Sequence, residues 1–551
     1  MKTPLPKINQ QQACWLTALA MTAAAVLLHL YSLSMAGGLW RDEVGLVNIA
    51  GLPAWREIVW GLMHDHCPVV FPAVIRAWTA LGWAHTDMGL RVLGLCVGLF
   101  LLSSFWFASR MMGRGLPLLA LSLAALNPVV IRYGDSMRAY AFGTALMMLT
   151  IGLLWRFIEK PCWRRGLLAG LAAVASVQAL YQNAFFLLAV CVAGVVVSLR
   201  QRQFPKLAGI LGIGFVAALS LVPYLQPIHD AQPWWLVSKT GINQAIALSR
   251  LCQLADNFFG VWTVVVVLAV VFGVGRVFIK ALQEGAVGQP DLPLFGSIAL
   301  ALGMAGFGVF IKLTGLPTQV WYYVPVLCFT AVCGDAVFPR VHSLTRRGVL
   351  AVALFALVYS STTYSALRWR QTNGDRLAAQ VAGNAAPEDL IIVHPWYYGV
   401  TFNFYYHGAA KWTTLPPIAD YRFFRYDLIK EQLQTPDAIG PVLERVEATL
   451  RAGHRVWVVG ELPPPSTGAR VPVDPPVAPN GPSGWLDEPY SIAWGKKLGY
   501  LLQQHATSLT LLDDASNDSI PVNPSEKMTL TVASGWRTNS PLSRVKLPGG
   551  I

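Results

Sequence analysis

The sequence predicts a polytopic α-helical membrane protein of about eleven transmembrane helices followed by a C-terminal α/β domain. Three observations predict it. Of 551 residues, 54% are hydrophobic and only 13% are charged, too little polar surface for a soluble chain of this length. Apolar runs long enough to cross a hydrocarbon core of roughly 30 Å recur through the first two thirds. From about residue 366 those runs shorten to strand length and alternate with helical stretches.

Taken in order, the expected spans lie near 13–34, 90–109, 115–131, 138–156, 166–181, 183–199, 207–224, 259–276, 293–311, 318–338 and 348–365. The first resembles a signal peptide, with Lys2 and Lys7 before an apolar run and Ser34-Met35-Ala36 after it. That run is long for a signal core, so an uncleaved first span is expected. Only Gln182 and Asn183 separate the fifth and sixth spans, which suits a tight hairpin or a partly re-entrant pair.

The net charge of +13 does not imply nucleic acid. The basic residues form short clusters between apolar runs, such as Lys160, Arg164 and Arg165, and clusters of that kind set membrane orientation. They put the N-terminus in the cytoplasm and, with an odd number of spans, the C-terminal domain in the periplasm of the inner membrane. The eight cysteines show no CxxC or Cys/His metal spacing; Cys67 and Cys252 are expected as free thiols.

The predicted domains are therefore 1–365, a membrane domain with a first outer loop at 35–89, and 366–551, a soluble domain. Within the latter, Asp389–His394 reads as a buried strand. Pro436–Ala452 reads as a helix closed by Gly453, with a strand at Arg455–Val459. Pro463–Pro482 is a Pro/Gly/Ser-rich loop, and the last dozen residues form a loose tail. A second large outer loop, Leu225–Phe258, carries His229, Asp230, Trp234 and Trp235.

Three segments carry candidate chemistry. In Gly38-Leu39-Trp40-Arg41-Asp42-Glu43-Val44, two carboxylates stand just past the first span, where ionised groups are costly unless solvated, paired or used. An acidic pair that merely marks the start of the loop is an equal reading of the pattern. Leu52–Leu62 follows with helical spacing, Trp55, Ile58 and Val59 on one side, as in a helix lying along the membrane surface. His64-Asp65-His66-Cys67-Pro68 offers two imidazoles and a carboxylate. Ligands at i and i+2 alone make an incomplete metal site, so substrate hydrogen bonding or plain loop structure is the stronger reading. The third segment, Asn127 to Tyr140, crowds Arg132, Tyr133, Asp135, Arg138 and Tyr140 into a short outer turn. Arg suits phosphate because its planar fork donates two parallel, charge-assisted hydrogen bonds. Interface anchoring accounts for Arg132 and Tyr133, and less well for Arg138.

These pieces resemble the C-type membrane glycosyltransferases, in the branch of the dolichyl-phosphate-mannose–protein mannosyltransferases and the lipid A aminoarabinose transferase (glycosyltransferase family 39-like). The resemblance rests on Trp40-Arg41-Asp42-Glu43, His64–Pro68 followed by Arg76-Ala77-Trp78, Leu90-Arg91, and Arg138-Ala139-Tyr140 after Asn127-Pro128. It implies Asp42 as the catalytic carboxylate with Glu43 beside it. It implies Arg138 as a donor-phosphate contact. The residues themselves add Tyr140, Arg41 and Arg132 as further candidates toward the phosphate, and His64, Asp65, His66 and Asp135 toward substrate. Relatives often carry an Arg-Tyr pair in a late span; here Gln319-Val320-Trp321-Tyr322-Tyr323 stands there, with Lys312 as the nearest substitute cation.

The implied reaction is a single displacement with inversion, Asp42 taking the proton of an acceptor hydroxyl. The donor is a polyprenyl-phosphate sugar and the acceptor an unspecified glycan, lipid or protein, with membrane lipid around both. No nucleic acid partner and no cofactor is expected; a divalent metal is not supported. A lipid-linked glycan transporter or flippase is the rival from another class, and would show inverted repeats and mid-membrane charges. An oligosaccharide ligase or polymerase differs only in donor. The His394–Tyr398 and Phe404–His407 clusters are read as domain core and docking surface, with sugar stacking as the alternative.

Overall fold

A computed structural model describes residues 10–65, 67–235, 244–255, 259–282, 291–315, 318–338, 365, 367–463, 472–478, 486–513 and 520–538. The expected last span at 348–365, apart from its final residue, the tail from 540 and His66 lie outside them, as does most of the Pro463–Pro482 stretch. The chain forms two compact units. One holds the described residues within 1–34, 67–227 and 241–368, the other those within 35–66, 228–240 and 369–551.

Eight helices among the described residues, in the first unit apart from the C-terminal ends of two of them, are long and apolar enough to cross a membrane, against the eleven expected. They are Gln12–Ala36, Asp87–Met111, Ala139–Glu159, Asn183–Arg200, Phe204–Trp234, Gly260–Ile279, Leu292–Thr314 and Val320–Val337. Two expected spans fall short. Residues 115–131 are broken: a π-helical stretch, Ala120–Ala125, ends before Asn127, and a new helix, Pro128–Gly134, begins. Pro128 lacks the N–H that would continue the first helix. The Asn127 side chain accepts from the N–H groups of Val129 and Val130 at 2.9 and 3.2 Å, capping the second. The fifth span is a 15-residue helix, Trp163–Val177, shorter than a full crossing.

Two buried carboxylates pin helices in this unit. Asp335 accepts from Leu119 and Ala120 N–H, both at 3.0 Å, capping the π-helical stretch. Asp135 lies 2.7 Å from His29 Nδ1 of the first span. Gly94 and Gly98 of Asp87–Met111 make room for it: a Cβ at Gly94 would stand 1.9 Å from the Asp135 carbonyl oxygen, and one at Gly98 2.0 Å from its carboxylate. The GxxxG spacing here admits a loop residue rather than a second helix.

The second unit is built on a five-stranded sheet in the order β2-β1-β3-β5-β4. The strands are β1 (Leu390–His394), β2 (Lys411–Thr414), β3 (Val456–Gly460), β4 (Ala506–Asp513) and β5 (Leu530–Trp536). β1, β2 and β3 are parallel, and β5 and β4 complete the sheet antiparallel. β1 and β3 are buried along their whole length, as expected of strands covered on both faces. Helices Gly374–Asn384 and Tyr398–Tyr405 contribute to one core cluster, helices Gly440–Arg451 and Glu488–His505 to the other. The expected helix before β3 is Gly440–Arg451, ended by Gly453 at φ +84°.

Because β2 follows β1 on one side and β3 lies on the other, the chain reverses direction between β1 and β3. This is the switch point, where open α/β sheets hold ligands beyond the carboxyl ends of their strands.

Candidate active site

In the second unit, the segment after the first span folds against the sheet domain. The Ala36 carbonyl accepts from Gln371 N–H at 2.8 Å, and the Leu39 N–H donates to the Tyr405 hydroxyl at 2.7 Å. Trp40 ends the extended stretch and helix Arg41–Ala50 begins. Glu43, at the third helical position, reaches back to accept the Trp40 N–H at 3.1 Å, half of a capping box. Its side chain is fully buried. Asp42 differs: its side chain keeps 18% of its surface exposed, in the first turn of the helix where the dipole favours negative charge.

Arg41 turns into the sheet domain. Its guanidinium lies 3.1 Å from Glu526, donates to the Ser525 carbonyl at 3.2 Å and sits 4.5 Å from the centre of the Tyr397 ring. Nε is 3.6 Å from Asp42 Oδ1. Burial works against the Arg41 charge, but Glu526 and Asp42 outweigh it and hold the guanidinium above its ordinary value. Burial pushes the Glu526 carboxyl up to about 7; Arg41 opposes that rise and the Asp42 charge adds to it. Tyr397 is pushed up to about 12, again by burial first.

The surface-helix expectation is corrected in part. The helix is Trp55–Gly61; Trp55 and Val59 are exposed, but Ile58 is fully buried. His64 lies inside an aromatic box, its ring stacked on Trp234 at 5.2 Å and close to Trp60 (4.9 Å) and Phe423 (5.2 Å). Its Nδ1 is 3.9 Å from Asp427, itself gripped by Arg425 at 2.7 and 2.9 Å. Burial, with Arg425 adding and Asp427 opposing, lowers His64 to about 4. Asp65 is buried next to it. Among the described residues no group of three His, Cys, Asp or Glu side chains is arranged to hold a metal ion.

In the first unit, Arg138 is the N-cap residue of helix Ala139–Glu159, its guanidinium 5.9 Å from the Tyr140 ring centre. Arg132 is buried, 5.5 Å from the Tyr133 ring centre. Both tyrosines meet the late segment: Tyr133 lies 5.0 Å from Trp321, and Tyr140 lies 5.8 Å from Tyr322. The aromatic run that replaces the late Arg-Tyr pair therefore packs on the turn that carries Arg132 and Arg138. Lys312 stands exposed in the last turn of Leu292–Thr314. Asp135, engaged with His29, is buried rather than open to an incoming group.

Sequence reasoning missed two residues, Arg250 and Glu526, and gave Tyr397 no link to Arg41. Arg250, on helix Gln244–Ala255, donates to the Thr318 carbonyl at 3.3 Å, next to the late aromatic run. Glu526 and Tyr397 hold Arg41 from hundreds of residues away, and no local spacing marks such a partnership. As expected, no disulfide joins Cys67 to Cys252.

Fold and sequence together define a multi-pass membrane protein whose chain also forms an α/β domain, with a carboxylate at a helix start after the first span and an arginine-rich turn just before the span Ala139–Glu159. Among solved structures, ArnT from Cupriavidus metallidurans bound to undecaprenyl phosphate is similar at 14% identity, covering 80% of this chain and 92% of that one, with a TM-score of 0.48. The archaeal oligosaccharyltransferase AglB from Archaeoglobus fulgidus, in complex with an inhibitory peptide and a dolichol-phosphate, is similar at 11% identity over 80% of this chain and 69% of that one, with a TM-score of 0.47. No family model and no curated protein matches the chain.

Proposed function

We propose that this chain is an inverting membrane glycosyltransferase. It moves a sugar from a polyprenyl-phosphate-linked donor to an acceptor hydroxyl on the periplasmic face of the inner membrane, its N-terminus cytoplasmic. The observation that carries this reading is the division of labour between the two adjacent carboxylates. Glu43 is spent on capping its helix, which leaves Asp42 as the part-exposed group of the Trp-Arg-Asp-Glu element.

In the proposed step the Asp42 carboxylate takes the proton of the acceptor hydroxyl as its oxygen attacks the anomeric carbon. The bond from that carbon to the phosphate oxygen breaks, and its electron pair leaves with the polyprenyl phosphate. Displacement from the opposite face inverts the carbon and needs no second flanking carboxylate. Arg138, with Tyr140 and Arg132 behind it, stabilises the charge growing on the phosphate. Arg41 is committed to Glu526, so its contribution runs through Asp42 rather than through the donor.

The test is a panel of polyprenyl-phosphate sugars incubated with the purified full-length protein in lipid nanodiscs, with an envelope lipid and glycan extract as the source of the acceptor hydroxyl, reading release of free polyprenyl phosphate. Release with at least one donor is expected, lost in Asp42→Asn. An Asp42→Asn protein that folds and keeps full release removes Asp42 from the base role.

A further inference from the structure

The crevice at the β1/β3 switch point is where an open α/β sheet takes its ligand. Here β1 ends at His394, which pairs in register with Gly460 at the end of β3. Gly460 sits at φ +103°, and a Cβ there would stand 2.0 Å from the His394 carbonyl oxygen. The backbones therefore close tightly at this end, and only glycine permits it. Beyond β1 come Tyr397 and Tyr398. Beyond β3, the Gly460 N–H donates to the Thr529 carbonyl at 2.8 Å, which brings the Ser525–Thr529 segment to the same edge. Asn373 braces that segment, donating to the Met528 carbonyl at 2.8 Å and accepting its N–H at 3.0 Å.

What occupies this edge is Arg41. Its guanidinium contacts Glu526, the Ser525 carbonyl and the Tyr397 ring, with the Tyr398 ring centre at 5.9 Å. Glu526 is fully buried. A buried carboxylate at a ligand crevice is costly without a cation, and the cation here comes from this chain's own first loop. Asp42 is the next residue and lies 3.6 Å from the same guanidinium.

We propose that the sheet domain holds Arg41 as an internal ligand, and that Glu526 is a positioning residue that sets the Asp42 carboxylate through Arg41. This rests on the reading of Asp42 as the base. The charged and titratable groups around Arg41 are Asp42 on its own helix, Tyr397 and Tyr398 after β1, and Glu526 before β5; Glu461 and Asp487 act on Tyr397 from further out. Freed of Glu526, the guanidinium keeps Asp42 as its carboxylate neighbour among the described residues, and the first turn of helix Arg41–Ala50 loses its charged tie to the domain while the Leu39 N–H stays on the Tyr405 hydroxyl. A base displaced by about 1 Å loses on the order of 10²-fold in rate.

The experiment uses the full chain in nanodiscs, with two readouts. One is hydrogen exchange of residues 39–50, which needs no substrate. The other is polyprenyl phosphate release from undecaprenyl-phosphate sugars, as kcat, donor KM and pH profile. Glu526→Gln is expected to speed exchange in 39–50 while the exchange of β1 and β3 stays as in wild type. It is also expected to lower kcat by on the order of 10²-fold with little change in donor KM. The acid limb of the rate profile should flatten, because Gln does not titrate. Wild-type exchange in 39–50 overturns the proposal, and so does a wild-type kcat with an unchanged acid limb. Should Glu526→Gln fail to fold, the pair Arg41→Met with Glu526→Met removes both buried charges together. That pair is expected to restore the fold and to show the same loss of kcat, and a wild-type kcat overturns the proposal. Asp42→Asn in parallel separates the two claims. Full activity there sinks the base role while the exchange result still judges the anchor. Loss there with an unaffected Glu526→Gln sinks the anchor alone.

Discussion

A carboxylate serves as a base only while its oxygens can meet an incoming hydroxyl, and that requirement separates Asp42 from Glu43. Glu43 accepts the Trp40 N–H from a fully buried position, a role a glutamine can also fill. Glu43→Gln is therefore expected to keep most activity, and Asp42→Asn to lose on the order of 10²-fold or more in kcat, measured side by side. Equal losses in both would return Glu43 to the chemistry. Two buried histidines of the second unit give a pH prediction. Burial holds His64 and His394 at about 4 in the folded chain, against 6.5 when exposed. Both bind protons more readily unfolded, so their contribution is complete above pH 6.5 and is lost as pH falls toward 4. Glu526 runs the other way. Raised from 4.5 to about 7, it contributes fully below pH 4.5 and loses that contribution as pH rises to 7. His64→Phe can keep the stack on Trp234 without the titration. Its denaturation midpoint should depend less on pH between 6.5 and 4 than that of wild type. A parallel pH dependence in both proteins would show that His64 is not a source of acid lability.

At the scale of elements, the membrane helices were largely legible because a span is announced by its own residues: length and hydropathy suffice. The break at 115–131 was not, since the apolar run continues through it and only Asn127-Pro128 marks the new helix start. Strands β1 and β3 were legible as short buried runs. β4 was not, because it lies at the sheet edge with most of its residues exposed or half-buried, and so has no apolar run. Gly94 and Gly98, four residues apart on one helix, receive Asp135 in the structure. That yields a sharp expectation. Gly98→Ala brings a methyl to 2.0 Å from the Asp135 carboxylate and 2.8 Å from the His29 ring, so something must shift. Overpacking of this kind costs about 1–3 kcal/mol, read as a lower thermal midpoint in detergent. Gly113→Ala, whose Cβ would meet nothing within 4 Å, tests a different term, the strain of φ +71°, and should cost less than Gly98→Ala. An unaffected Gly98→Ala protein would mean that Asp135 is not held against this helix.

At the scale of the whole molecule, the proposed reaction needs the base and the phosphate contact to serve one reacting carbon. Asp42 belongs to the unit built on the sheet, and Arg138 to the unit built of spans. Their sequence neighbourhoods gave each candidate away, through an acidic pair past one span and an arginine-rich turn past another. Nothing local records whether they meet, because that depends on how long-range partners such as Arg41 and Glu526, on residues 485 positions apart in the chain, are satisfied. The requirement can be tested without a substrate. In a background with the native cysteines replaced, the proposed single displacement requires that Asp42→Cys and Arg138→Cys be joined by a short bis-maleimide. Cross-linking that is absent with the short reagent and appears only with much longer ones would place the two groups too far apart for a single displacement. The transfer chemistry would then need a different base or a different phosphate contact.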